Sequence, residues 1–330
     1  MDQVIKVAIL GAAGESGGLI LNGLLDSTSP RYEVTALVRP SSISKPAYEK
    51  ISSRGVNLIT IDLDQPETKI SESLQGFDIV IASVPPNVLE SQIPLARAAK
   101  LANVKRFVPS SFAMAIAPSG VSTVQTMKEK IYAELAAIDL PHTIIDVGWW
   151  WNGFIPELPS GRTDYAIALP YFIRNLIPGD GNMKTHVVDP ERVGTFVARI
   201  LADPETINKR VMASEAAMSF NEMFDTAEAL TGEEIRRKYI SADGLRAMIA
   251  DLSAQVSLDP ENYMLLVGKF WLEYYISSFI NGDNSPDGAS AQGYLLATEL
   301  YPDVQITTFE QFFTDILEKK KRVPYSDRLV

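Results

Sequence analysis

The chain contains no cysteine and only two histidines. The first absence excludes disulfides, thiolate zinc sites and a cysteine nucleophile. The second leaves no metal site, because His142 and His186 have no matching carboxylate cluster. No stretch approaches the ~20 apolar residues that a membrane span requires. The most apolar later segment, 263–280, is interrupted by Lys269 and Glu273 and reads as a buried or half-buried helix. Positive charge is also scarce, with 30 basic against 41 acidic residues and a net charge of −11. Such a balance repels nucleic acid and anionic membranes unless a local patch overrides it. Asp2 and Lys6 interrupt the amino terminus and make it a poor secretory signal. Internal repeats and low-complexity segments are missing too. Together these absences point to a cytoplasmic globular protein. Its 330 residues, 46% of them hydrophobic, suffice for a sizeable core and about two domains of ~150 residues each.

The first half alternates short apolar runs with amphipathic segments. Strands are predicted at 4–10, 33–38, 57–61, 78–82, 105–109 and 142–147, with helices between them at 17–25, 44–54, 71–74, 87–101 and 122–138. This alternation predicts βαβ units, a doubly wound parallel α/β sheet of the Rossmann type, and a ligand crevice at the strand C-termini. From Trp149 onward Pro156, Pro159, Gly161, Pro170, Pro178, Gly179 and Gly181 break the pattern. Helices return at 190–201, with Asp189 as N-cap and Pro190 at N1, and at 220–230, 241–254, 260–280 and 308–320. Residues 281–290 read as a loop. The organisation expected is a nucleotide-binding domain over 1–150 and a smaller, mostly helical substrate lobe over 151–330. The boundary is soft, since 185–188 can return to the sheet.

Directly after the first strand stands Gly11-Ala12-Ala13-Gly14-Glu15-Ser16-Gly17. Strand, glycine turn and helix in that order make a dinucleotide site: the glycines admit a pyrophosphate, and the helix N-terminus offers free N–H groups. The spacing GxxGxxG is that of extended short-chain dehydrogenases. The second strand ends in Val38-Arg39-Pro40-Ser41-Ser42 and offers no acid for ribose hydroxyls. It offers Arg39, which suits a 2′-phosphate and favours NADPH over NADH. The fourth strand ends in Ser83-Val84-Pro85, small enough for a backbone to approach the adenosine ribose and diphosphate.

The usual catalytic Tyr-x-x-x-Lys of short-chain dehydrogenases is absent. The helix between the fifth and sixth strands instead carries Lys128 and Tyr132 one turn apart on one face, in reversed order. Here the chain resembles the NmrA-like, isoflavone-reductase-like branch of atypical short-chain dehydrogenases. The glycine turn, Arg106-Phe107-Val108-Pro109-Ser110-Ser111-Phe112, Lys128 followed by Leu140-Pro141-His142-Thr143, and Val188-Asp189-Pro190-Glu191-Arg192-Val193-Gly194 carry the resemblance over about two-thirds of the chain. It implies NADP(H) held by Gly11, Ala13, Gly14, Glu15, Ser16, Gly17, Arg39, Ser83, Val84, Pro85, Ser110, Ser111, Phe112, Lys128, Gly148 and Trp149. It also implies a catalytic role for Lys128. Ser111 and Ala113 depart from the family's Glu and Gly, and Gly148-Trp149-Trp150-Trp151-Asn152-Gly153-Phe154 is bulkier than the family's small polar stretch. These departures argue against the plant substrates and toward fungal or bacterial reductases of secondary metabolism.

Trp150, Trp151, Phe154, His186 and Trp271 are the substrate-side candidates. The basic run Lys319-Lys320-Lys321-Arg322 complements the dipole of the last helix. The expected activity is NADPH-dependent reduction of a hydrophobic, aromatic or polycyclic small molecule at a carbonyl, enone or benzylic carbon, by a monomer or homodimer. A dinucleotide-sensing regulator without catalysis and a cofactor-assisted isomerase or cyclase are the alternatives.

Overall fold

The computed structural model describes residues 4–118, 120–323 and 325; Asp2 lies outside them. The first half builds β1 (Val4–Leu10), α1 (Glu15–Asp26), β2 (Arg31–Val38), α2 (Pro46–Ser52), β3 (Asn57–Thr60), α3 (Glu67–Glu72), β4 (Ile79–Ala82), α4 (Gln92–Leu101), β5 (Arg106–Val108), α5 (Thr123–Ala137) and β6 (Thr143–Asp146). β7 (Trp149–Trp150), β8 (Leu176–Pro178), β9 (Thr185–Val188), α6 (Val193–Ala202), β10 (Lys209–Met212) and β11 (Ala216–Met218) follow. The chain continues with α7 (Phe220–Thr231), β12 (Lys238–Ile240), α8 (Ala242–Leu258), α9 (Tyr263–Tyr275), α10 (Pro286–Ala291), β13 (Tyr294–Leu296), α11 (Ala297–Leu300) and α12 (Phe309–Leu317).

The sheet runs β3-β2-β1-β4-β5, all parallel. A parallel bridge from Phe107 to His142 carries it on to β6, which pairs with β10 and then β13. Strand order reverses between β1 and β4, which is where a doubly wound sheet opens its ligand crevice. Alternation along β1 divides the core. Val7 and Ile9 pack with Ile20, Leu24, Phe196 and Ile200 of α1 and α6. Ala8 and Leu10 pack on the other face with Leu95, Ala99, Ile131 and Leu135 of α4 and α5. α1 and α6 cross so closely that a Cβ on Gly23 would lie 2.0 Å from the carbonyl carbon of Gly194. Only paired glycines allow that approach. Arg106, from the motif after α4, is not at the crevice. Its guanidinium donates to the carbonyls of Ile200 and Asp203 and to Thr206 Oγ1, tying β5 to the end of α6.

The remainder packs on the sheet as a lobe of α7, α8, α9 and α12 with two small sheets, β11-β9-β7 and β12-β8. Three expectations need correction. Residues 286–291 of the expected loop form α10, started by Ser285 as N-cap with Pro286 at N1. The 260–280 helix starts only at Tyr263, where Asn262 caps it, and passes into a wider π turn at Ile276–Asn281. β10 and β13 lie outside the strand–helix alternation that marks the first half, and runs of four and three residues do not show themselves as strands without it. The expected return of 185–188 occurs as β9, in the three-stranded sheet beside β7 rather than in the main one.

Candidate active site

Every parallel strand delivers its next loop to one edge of the sheet, and the candidate residues line up there. Gly11 turns with φ +89, and a Cβ on it would lie 2.0 Å from the Ser83 carbonyl oxygen. A Cβ on Gly17 would lie 2.0 Å from the Gly11 carbonyl oxygen. The turn is therefore closed by backbone alone, with Gly14 N–H donating to Gly11 O at 2.9 Å. Gly14 caps α1 without a side chain, so no side chain occupies the N–H groups of that first turn. Ala13 and Ser16 are half-buried on the same turn, and Glu15 is buried. Across the switch point Ser110 Oγ donates to Val84 O at 2.9 Å and accepts from Val84 N–H at 3.1 Å, while Pro85 is exposed. Phe112 follows with φ +36, a strained value for a non-glycine residue that turns the loop back toward β6.

Ser111 connects this line to Lys128. The Lys128 ammonium donates to Ser111 O and Ser111 Oγ, both at 3.2 Å. It lies 3.8 Å from Asp146 Oδ1, and the two side chains are 4% and 3% exposed. Ser111 Oγ donates to Asp146 Oδ1 at 2.5 Å and accepts from Tyr132 OH at 2.9 Å. Tyr294 OH donates to Asp146 Oδ2 at 2.5 Å, and Ala113 N–H to Oδ1 at 3.2 Å. Burial lowers the Lys128 pKa, and the Asp146 carboxylate pulls it back in part. Burial raises the Tyr132 and Tyr294 phenols well above their ordinary value, so both remain protonated donors at neutral pH. Arg210 lies over both rings, 5.2 Å from the Tyr132 centroid and 5.8 Å from that of Tyr294.

The consecutive tryptophans separate. Trp149 enters a cluster with Phe154, Trp271, Tyr274 and Phe279, and donates from Nε1 to Ser278 at 2.9 Å. Trp151 is enclosed against Phe309 and Phe312. Trp150 is the half-exposed one, in a small cavity with Glu15, Asp189, Lys321 and Arg322. Gly148 packs with φ +69 against the His186 carbonyl. The His186 ring makes no hydrogen bond to the Lys128 network: Nδ1 meets Ser214 Oγ at 2.9 Å, and Nε2 has no partner among the described residues. Burial holds the His186 pKa down to about 4. The folded state therefore keeps this ring neutral, so its contribution is complete above about 6.5 and is lost as pH falls through 4. Glu215 nearby titrates in the opposite sense. Burial raises it to about 7, so its contribution is complete below about 4.5 and is lost as pH rises through 7. Relative to the parent, His186→Gln is expected to gain roughly 3 kcal/mol as pH drops from 6.5 to 4. Thermal melts across that range check it, and parallel Tm curves for the two proteins would count against it.

The sequence profile of the NmrA-like family matches residues 3–313. The chain belongs to the NmrA-like family. It is 37% identical over 319 residues to asnovolin J 5′,6′-dehydrogenase of Aspergillus novofumigatus, covering 96% of this chain and 97% of that one. It is 30% identical over 323 residues to phenylcoumaran benzylic ether reductase Betv6 of Betula pendula, covering 94% and 98%. Among solved structures, isoflavone reductase superposes with a TM-score of 0.76 at 26% identity, covering 95% of this chain and 99% of that one.

Within this NmrA-like chain, Arg39 is exposed at the end of β2, and among the described residues its guanidinium forms no ion pair. Asp146, Tyr294 and Arg210 had not been singled out from sequence. Asp146 carried a readable signal, a carboxylate inside the apolar strand Thr143-Ile144-Ile145-Asp146, where an unpartnered charge would be costly. Tyr294 and Arg210 carried none, since they sit on the two short unanticipated strands. The basic run does not simply complement a helix end, because α12 stops at Leu317. Lys321 pairs with Asp189 at 2.7 Å and Glu191 at 2.8 Å, Arg322 pairs with Glu15, and Tyr325 stacks on Trp150 at 6.1 Å. The tail thus neutralises the acids at the mouth of the glycine turn. Among the described residues, no group of three or more His, Asp or Glu is placed to hold a metal, and no helix is long and apolar enough to cross a membrane.

Proposed function

We propose that this protein is an NADPH-dependent oxidoreductase acting on a hydrophobic small molecule, aromatic or polycyclic, at a carbonyl, enone or benzylic carbon. One observation carries the reading. An unbroken series of contacts along the sheet edge runs from Gly11 through Ser83, Val84 and Ser110 to Ser111 and the buried Lys128. The residues fit a dinucleotide. Cβ atoms at Gly11 or Gly17 would fill its cradle, the start of α1 is uncapped, and Arg322 offsets the one acid there, Glu15. Gly11, Ala13, Gly14, Ser16 and Gly17 would hold the diphosphate, Arg39 the 2′-phosphate, and Ser83–Pro85, Ser110–Phe112, Gly148 and Trp149 the walls of the cleft. NADPH, when bound, supplies a hydride to an electrophilic carbon. Lys128 then holds positive charge, or a proton, at the oxygen that gains negative charge. The aromatic cluster of Trp149, Trp271 and Tyr274 supplies an apolar roof. The likeness to a protein named asnovolin J 5′,6′-dehydrogenase favours a substrate oxidised or reduced at adjacent positions.

NADPH absorbance followed with aromatic ketones, enones and benzylic ethers, and NADP+ reduction with their saturated counterparts, tests the proposal. Substrate-dependent turnover with at least one class is expected. Tight NADPH binding without turnover of any would instead mark a dinucleotide-sensing regulator. Arg39→Ala is expected to weaken NADPH binding by roughly 10–100-fold and to leave NADH nearly unaffected. Calorimetric titration with each dinucleotide checks this, and equal losses would remove the 2′-phosphate contact.

A further inference from the structure

We propose that Asp146, bridged to Lys128 by Ser111, is the positioning residue that keeps the Lys128 ammonium charged and fixed at the sheet edge. This rests on the reading of Lys128 given above and extends it to a residue with no contact to the glycine turn.

Lys128 is almost wholly buried, and burial disfavours an isolated ammonium there. The groups facing it come from different elements. Asp146 reaches it from β6, Arg210 from β10 and Glu129 from its own helix, while Tyr132 meets it only through Ser111 and Tyr294 from β13 only through Asp146. Arg210 opposes the charge on Lys128, and Glu129 is drawn outward, lying 3.7 Å from Arg210. Both carboxylates favour the charged lysine; Glu129 is partly exposed, and of the two Asp146 is the buried one, at 3.8 Å. Its own geometry is fixed by Ser111, Ala113 N–H and Tyr294. The Lys128 ammonium thus donates twice to Ser111 and faces the Asp146 carboxylate on its other side.

The test is a titration of the protein labelled with 13C at lysine Cε, without cofactor or substrate, with the Lys128 signal assigned from Lys128→Arg. Asp146→Asn is expected to lower the proton affinity of Lys128 about tenfold or more. Tyr294→Phe removes a bond that spreads the carboxylate charge, and is expected to raise that affinity roughly threefold. Opposite signs separate electrostatic positioning from loosening of the core, which would move both variants the same way. An unchanged Lys128 midpoint in Asp146→Asn, or shifts of equal sign in the two variants, would overturn the proposal. Should Asp146→Asn not fold, the Tyr294→Phe shift alone decides, upward in support and unchanged or downward against. The readout involves no turnover. An inactive protein with the expected shifts therefore sinks the oxidoreductase reading alone, and an active one without them sinks only the role of Asp146.

Discussion

Lys128→Met should lower turnover by about two to four orders of magnitude while NADPH affinity changes only a few-fold. The size follows from what the ammonium does. Its charge and proton matter where negative charge develops in the transition state, so its loss appears mainly in kcat. Methionine is the informative replacement. Lys128→Ala would mix a packing defect into the result, because the lysine is buried against Asp146. Alanine would leave a cavity and a carboxylate without its ion-pair partner, and breaking a buried pair costs about 3–5 kcal/mol. Either replacement leaves Asp146 without its ion-pair partner but with its bonds from Ser111, Ala113 and Tyr294; methionine spares only the cavity, because it fills the space of the lysine stem. Steady-state rates measured beside NADPH binding on the same preparation check the split. Wild-type turnover in Lys128→Met would remove the lysine from the chemistry.

Gly11→Ala should act through the fold and the cofactor together. The new methyl carbon would stand 2.0 Å from the Ser83 carbonyl oxygen, on a backbone already at φ +89. Left-handed backbone costs an alanine about 1–2 kcal/mol, and forcing a methyl into packed space about 1–3 more. The obstacle is backbone from β4, which cannot swing aside as a side chain does. Relief requires the glycine turn to move away from β4, and that deforms the cradle in which a diphosphate would sit. Loss of roughly 2–5 kcal/mol in stability, with NADPH binding lost at ordinary concentrations, is expected from denaturant unfolding and calorimetry. Retained binding in a destabilised protein would show that the turn is structural only.

The sheet-building half was legible because its apolar runs alternate with amphipathic segments in βαβ order, which identifies even the three-residue β5 by its place in the series. Val4–Leu10 is where the apolar run places it, and the glycine turn follows directly. The short strands β10 and β13 were not, and with them went Arg210 and Tyr294. Lys128 was reachable from the family likeness, yet its environment was not, because Ser111, Asp146 and Tyr294 are brought together from three separated segments. The tryptophan run shows the same limit. Consecutive residues must diverge, but only packing decides that Trp151 is enclosed by α12, Trp149 joins the aromatic cluster and Trp150 faces the glycine turn. The tail is the extreme case, since nothing within a basic run says that Arg322 will meet an acid 307 residues earlier.

The most direct test follows the transferred atom. NADPH carrying deuterium at its transferable position is incubated with the protein and the panel of hydrophobic ketones, enones and benzylic ethers, and the products are examined by mass spectrometry. Deuterium on a product carbon, lost in step with activity in Lys128→Met, is the expected result. NADPH that binds but keeps its deuterium against every class of acceptor would contradict a hydride-transferring enzyme.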